Sequence, residues 1–230
     1  YSGTRGIARE VGLAGPIACV DGSHIVDVAT DRELYVRAIE PASTAEVRAA
    51  VERHDLAAFL FAQDGIVHDE GGAPFAPYVS TWSDQIAVVE RVTEHPFWDH
   101  ERGVMAVVAI GLEAALMTAA REIRERAPDA AVVTFPVARL GGTCAMVVRA
   151  EGTTKGTAVR WLAGHYACSA AEVVVVGDWI NDVPMFDAAG CSFVMKQAPE
   201  AVKRRATHEL EADADAGGGV AEAIRRAFGV

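Results

Sequence analysis

No apolar run in these 230 residues reaches the length a membrane-spanning helix needs, so membrane insertion through such a helix is not expected. Basic clusters are scarce too: none exceeds Lys203-Arg204-Arg205, a triplet placed to cap a helix. With 21 Lys and Arg against 32 Asp and Glu the formal charge is −11, which argues against nonspecific nucleic-acid binding. The four cysteines, at 19, 144, 168 and 191, share no metal-type spacing and read as reduced core residues. The seven histidines show no metal-binding spacing either. The balance of 23% charged residues against a mean hydropathy of +0.16 argues against disorder. The 51% hydrophobic content suffices for one large or two modest domains.

What is present concentrates near the C-terminus. Val173 to Val176 form a β-branched run, followed by Gly177, Asp178, Asn181 and Asp182. Four consecutive valines predict a strand buried on both faces, as in parallel sheets. Gly177 permits a sharp turn, and the polar cluster then lies where a helix is expected to start, from Asn181. Ligands of open α/β sheets sit outside the carboxyl ends of strands. Carboxylates there suit a hard cation such as Mg²⁺ better than they suit an anionic substrate directly. Metal-assisted chemistry on phosphate is the leading expectation.

The periodicity divides the rest. Residues 4–13 predict a helix, and 16–20 and 24–28 short strands. From about residue 30 a distinct block begins, with a strand carrying Leu34, Val36 and Ala38 and a helix capped by Ser43 or Thr44. A strand at Ala57–Ala62, a turn at Asp64-Gly65 and a strand at Ile66–His68 follow. A second helix-strand-strand unit comprises a helix from Glu113 to Arg126 and strands at Ala131–Ala138 and Cys144–Ala150, joined at Gly141-Gly142. Residues 70–103, with Pro74, Pro77, Pro96, Trp82 and Trp98, yield no order. After residue 150 strand and helix alternate again: a helix from Lys155 to about Ala167, the valine strand, a strand at Cys191–Met195, a helix at 199–206 and one from Val220. The right-handed crossover rule makes a parallel sheet the economical arrangement.

Gly177-Asp178-x-x-Asn181-Asp182-x-x-Met185-Phe186 resembles the fourth motif of the haloacid-dehalogenase-like (HAD) phosphatases, in particular the Cof-type group with its large C2B cap. Ala188-Ala189-Gly190, Ser192 to Met195, Gln197 to Lys203 and Gly217 to Ile224 continue the likeness. Thr154-Lys155-Gly156-Thr157 resembles the third motif, and Gly12 to Ile17 with Asp21-Gly22-Ser23-His24-Ile25 resembles the strand after the second. The resemblance implies an α/β fold: a HAD-like doubly wound parallel sheet core, residues 1–28 and 151–230, with an inserted α+β (αββ…αββ) cap at 29–150. It also implies an opening Asp-x-Asp-Gly-Thr motif with the nucleophile and the general acid, and this chain starts about where the second motif ends. Cys19-Val20-Asp21-Gly22-Ser23 imitates that opening, but a small buried cysteine beside a turn is the better reading. Lys196-Gln197-Ala198 stands where the family has Gly-Asn-Ala, a departure affecting a loop near the expected metal.

By resemblance, Asp178 is a direct Mg²⁺ ligand, and Asp182 orients a metal-bound water or pairs with Lys155. Asn181 orients the nucleophilic carboxylate or contacts substrate. Lys155 offsets the charge gathered when a carboxylate attacks a phosphoryl group. Local readings compete: an N-cap for Asp178, a favourable first-turn charge for Asp182, an Asx turn for Asn181, and an ordinary exposed lysine. Among the histidines His24 is placed near the crevice. Trp82, Trp98 and Trp179 are expected in packing roles over ring stacking, and the acidic alternation Glu209, Glu211, Asp213, Asp215 is expected to face solvent. The implied function is Mg²⁺-dependent hydrolysis of a small phosphorylated metabolite, a sugar or cofactor phosphate, through an aspartyl-phosphate intermediate. The protein is expected to be cytoplasmic, a monomer or homodimer, with neither nucleic acid nor membrane as partner. A phosphomutase on the same scaffold, or a noncatalytic remnant without the nucleophile, are the alternatives.

Overall fold

A computed structural model describes the chain at residues 1–62, 65–137, 141–213 and 217–230. The chain separates into two compact units, Tyr1–Thr153 and Thr154–Val230.

The first unit begins with α1 (Ser2–Glu10) and a three-stranded antiparallel sheet of β1 (Pro16–Cys19), β2 (His24–Asp27) and β3 (Arg32–Val36). Next come α2 (Pro41–Arg53), β4 (Ala58–Ala62), β5 (Gly65–His68), α3 (Ala76–Val79), β6 (Ile86–Val88) and β7 (Ala106–Leu112). The unit closes with α4 (Glu113–Arg126), β8 (Ala130–Pro136) and β9 (Thr143–Ala150). Six of these strands form one sheet in the order β6-β5-β4-β7-β9-β8, antiparallel except for β5 with β6. The side-chain period of two sorts each strand between two cores. Leu60, Val107 and Val148 pack with Val47 and Val51 of α2 and Leu116 and Ile123 of α4. Phe59, Val108 and Ile110 pack on the opposite face with Ile66 and Val79.

The second unit runs α5 (Lys155–His165), β10 (Val174–Gly177), α6 (Val183–Phe186), β11 (Cys191–Val194), α7 (Glu200–Lys203), β12 (His208–Glu209) and α8 (Gly219–Phe228). Its sheet is parallel in the order β10-β11-β12, with Gly177 opposite Val194. Val159, Val175, Val183, Phe186 and Val194 form one core, and Phe193, Leu210 and Ala223 another. Among the described residues no helix is long and apolar enough to cross a membrane.

The two helix-strand-strand units form as expected, and several details differ. α2 starts earlier than Ser43 or Thr44: Glu40 is its N-cap and Pro41 opens it, because proline's fixed φ suits the first helical position. Ser43 and Thr44 are buried in the first turn. The strand carrying Leu34 and Val36 pairs with β2 rather than with the strands that follow it, and Ala38 lies beyond its end. β7 was not anticipated, and it is the central strand between the two repeats. In β10 only Val175 is buried, while Val174 and Val176 are half-buried, since β10 has one paired neighbour among the described residues. The helix expected from Asn181 begins at Val183 after a 3-10 turn at Ile180–Asp182. The helix expected over 199–206 shortens to Glu200–Lys203. Asp64, Ala138 and Asp215, named in the sequence analysis, lie outside the described residues.

Candidate functional site

The second unit gathers the expected site residues at the carboxyl end of β10. Thr154 caps α5 with its hydroxyl, which accepts from the Thr157 N–H at 3.1 Å, while the Thr157 hydroxyl accepts from the Thr154 N–H at 2.9 Å. This reciprocal box satisfies two otherwise orphaned donors and fixes where the helix starts. Lys155 is therefore the first helical residue, and its Nζ reaches Asp182 Oδ1 at 2.5 Å. A cation at a helix N-terminus opposes the helix dipole, and the carboxylate facing it offsets that cost.

Asp182 is almost fully enclosed, with 3% of its surface exposed. Its second oxygen accepts the backbone N–H groups of Asp178 at 2.8 Å and Trp179 at 2.9 Å. Both oxygens are thus committed within the protein, and a buried carboxylate so paired is fully satisfied. Two glycines make the approach possible. A Cβ on Gly177 would stand 2.6 Å from the Asp182 carboxylate, and one on Gly156 would stand 2.2 Å from the Pro184 carbonyl oxygen.

Asp178 differs from Asp182. It is half-buried, and its Oδ2 accepts from Gln197 Nε2 at 3.0 Å. Among the described residues its other oxygen accepts no hydrogen bond. Asn181 sits half-buried on the 3-10 turn joining the two aspartates. The structure thus brings together Lys155, Asp178, Asn181 and Asp182 on two adjoining segments. Asp182 takes the Lys155-pairing option of the two anticipated for it. Its oxygens leave Asp178 as the better-placed hard-oxygen donor. Among the described residues no group of three or more His, Cys, Asp or Glu could hold a metal ion. A single carboxylate nevertheless fits Mg²⁺, which keeps several waters and commonly takes only one or two protein carboxylates together with substrate phosphate oxygens.

The other candidates differ in their surroundings. His24 is buried in β2, with Nε2 2.9 Å from Glu33 Oε2. Trp98 is buried and donates to the Val92 carbonyl at 2.8 Å. Trp82 meets Tyr78 edge-on, whereas Trp179, beside Asp178, is 42% exposed. Cys19, in the imitation of the opening motif, is half-buried, and Asp21 pairs with Arg149 at 2.8 Å. The other three cysteines are also half-buried, and none of the four forms a disulfide among the described residues. Glu209 and Glu211 face solvent as expected, and Asp213 is half-buried. Gln197 was noted only as a departure in a loop; its contact with Asp178 had no local signal beyond that departure.

A family model for haloacid dehalogenase-like hydrolases matches residues 1–224. A phosphoglycolate phosphatase of Methanoculleus marisnigri is 31% identical over 94 residues, covering 41% of this chain and 39% of that protein. The match thus spans about two fifths of the curated relative. Among solved structures, a haloacid dehalogenase-like hydrolase from Bacteroides thetaiotaomicron superposes with a TM-score of 0.79 at 20% identity, over 99% of this chain and 83% of that one. A sugar phosphatase of HAD subclass IIB superposes with a TM-score of 0.77 at 18% identity, over 97% of this chain and 79% of that one. At such identities the likeness is one of fold, and it places this chain in the α/β HAD-like architecture, a core sheet with additional sheets consistent with an inserted cap.

Proposed function

This chain belongs to the haloacid dehalogenase-like hydrolase family, and on that premise we propose that its site serves Mg²⁺-assisted hydrolysis of a small phosphate monoester. The observation that carries the reading is the division of labour at the end of β10: Lys155 is held by Asp182, while Asp178 presents an oxygen that accepts no hydrogen bond among the described residues. Support for a small phosphorylated metabolite comes from the names of the relatives, a phosphoglycolate phosphatase and a sugar phosphatase, and the proposal extends to a sugar or cofactor phosphate.

In this proposal Asp178 holds the cation, which when bound supplies charge neutralisation to the transferring phosphoryl group. Lys155 adds a second positive charge to the same phosphoryl oxygens. Asp182 keeps the Lys155 ammonium aimed and, by accepting the Asp178 N–H, fixes the turn that presents Asp178. Asn181 offers an amide to the substrate or to the nucleophilic carboxylate. The proposal includes the aspartyl-phosphate intermediate, the Cof-type assignment and the division into a core of residues 1–28 and 151–230 with a C2B cap at 29–150.

The test is release of inorganic phosphate from a panel of sugar and cofactor phosphates by the full-length protein, with Mg²⁺ or with EDTA. Lys155→Met and Asp178→Asn should each lower turnover by about 10²-fold or more, the scale of removing one charge-stabilising group. Release that survives both EDTA and Asp178→Asn would overturn the cation role. Isomerised product without free phosphate would indicate a mutase instead.

A further inference from the structure

We infer that Gln197 is a positioning residue for Asp178, orienting its carboxylate toward a divalent cation without drawing on its charge. The inference rests on the reading of Asp178 as a cation ligand and extends it to a residue outside the four-residue cluster.

The placement follows from register. β10 and β11 pair in parallel with Gly177 opposite Val194, so the residues just past the two strand ends are neighbours. The Met195 N–H donates to the Gly177 carbonyl at 3.0 Å, continuing the ladder one step beyond the strand. The chain then closes a turn, with the Ala198 N–H donating to the Met195 carbonyl at 3.0 Å, and buried Ala198 anchors that turn in the core. Gln197 is held on this turn, and its Nε2 meets Asp178 Oδ2 at 3.0 Å.

The chemistry of the donor matters as much as its position. The neighbouring carboxylate, Asp182, has its charge matched by Lys155. Asp178 instead receives a neutral amide, which lowers its rotational freedom and leaves its full negative charge in place. Mg²⁺ demands near-ideal octahedral geometry and binds through few carboxylates, so a freely rotating ligand would bind it poorly. A lysine at position 197 would compete with the cation for the same oxygens. Partners that orient a ligating carboxylate characteristically contribute about 10–100-fold to metal affinity.

Calorimetric titration of the full-length protein with Mg²⁺ tests this, with urea melts in EDTA to report folding. Gln197→Met, similar in volume and without a donor, should weaken Mg²⁺ binding about 10-fold while the melt stays unchanged. Gln197→Lys should weaken it further, because it adds a competing charge. Gln197→Met and Gln197→Lys binding as tightly as wild type, with Asp178→Asn weakened, would overturn the positioning role alone. Unchanged binding in Asp178→Asn, or none in wild type, would overturn the ligand reading and the positioning role with it.

Discussion

Alanine at the two glycines of α5 should move stability in opposite directions. On propensity alone both substitutions gain, since alanine is favoured over glycine inside a helix by about 0.5–1 kcal/mol. At Gly164 a Cβ would meet nothing within 4 Å, so the gain stands. At Gly156 the same atom would lie 2.2 Å from the Pro184 carbonyl oxygen and 2.7 Å from its carbon, where ordinary contact starts at 3.4 Å. The obstacle is backbone, which cannot rotate aside, so α5 and α6 must part by roughly the 1.2 Å shortfall, an overpacking that typically costs about 1–3 kcal/mol. Parting them also draws Lys155 from Asp182, whose side chain is only 4% exposed and needs its cation. Together these place the net loss for Gly156→Ala at about 2–4 kcal/mol, against a gain of at most ~1 kcal/mol for Gly164→Ala. Urea unfolding followed by circular dichroism measures both, with midpoints compared at equal slope. A Gly156→Ala midpoint at or above wild type would refute the close-approach argument, and a loss in Gly164→Ala would refute the propensity half.

Acid should weaken the second unit through Glu222. Its carboxylate is held below the usual glutamate range, first by the Ala212 N–H and then by the Glu211 N–H, with Arg226 adding to both. A folded-state value below the unfolded one stabilises the protein above the unfolded glutamate range, and that contribution disappears as pH falls through the folded value. Urea midpoints from about pH 7 down to pH 3 should therefore fall less steeply in Glu222→Gln than in wild type, and parallel curves would contradict the assignment. In the first unit, Arg149 is 8% exposed, donates to Asp21 at 2.8 Å and to the Thr153 carbonyl at 2.7 Å. Arg149→Met removes the cation facing a mostly enclosed carboxylate and should cost about 3 kcal/mol. Thermal melts of the two single variants and of Arg149→Met with Asp21→Asn form a cycle, and strictly additive losses would show that the pair is not coupled.

The repeats were legible because each helix carries a run of helical spacing and each strand alternates or ends at a turn residue. β7 was not, for a physical reason. Its residues Ala106–Leu112 are apolar on both faces, so they show no period of two, and α4 begins at the next residue without an intervening turn. A continuous apolar stretch running straight into a helix has no internal boundary. The pairing of β3 was hidden for another reason: composition marks a strand without naming its neighbour. β3 meets β2 through a hairpin whose tight turn is held by the Thr30 N–H and hydroxyl bonding to Asp27 Oδ1. Helix starts were misplaced where a proline outcompeted a hydroxyl, as at Pro41.

At the site the residue types were readable and their division of roles was not. Two aspartates four positions apart look equivalent in a string of letters, yet one turns inward and the other outward. The difference originates at Gly177, which has no side chain to occupy the space at the strand end, so the Asp182 carboxylate can fold back to within reach of the Asp178 and Trp179 N–H groups. Once Asp182 accepts those two donors and Lys155, it has little capacity left for a cation, and its satisfied state stabilises the turn. Asp178, one residue past the strand, is then held at the rim by the same turn whose N–H it contributes. The spacing of glycine, first aspartate and second aspartate therefore places one carboxylate inside, bonded to the turn and to Lys155, and the other at the rim. A carboxylate that is fully hydrogen-bonded inside the protein is expensive to move, so a cation at this site should leave Asp182 where it is and recruit Asp178.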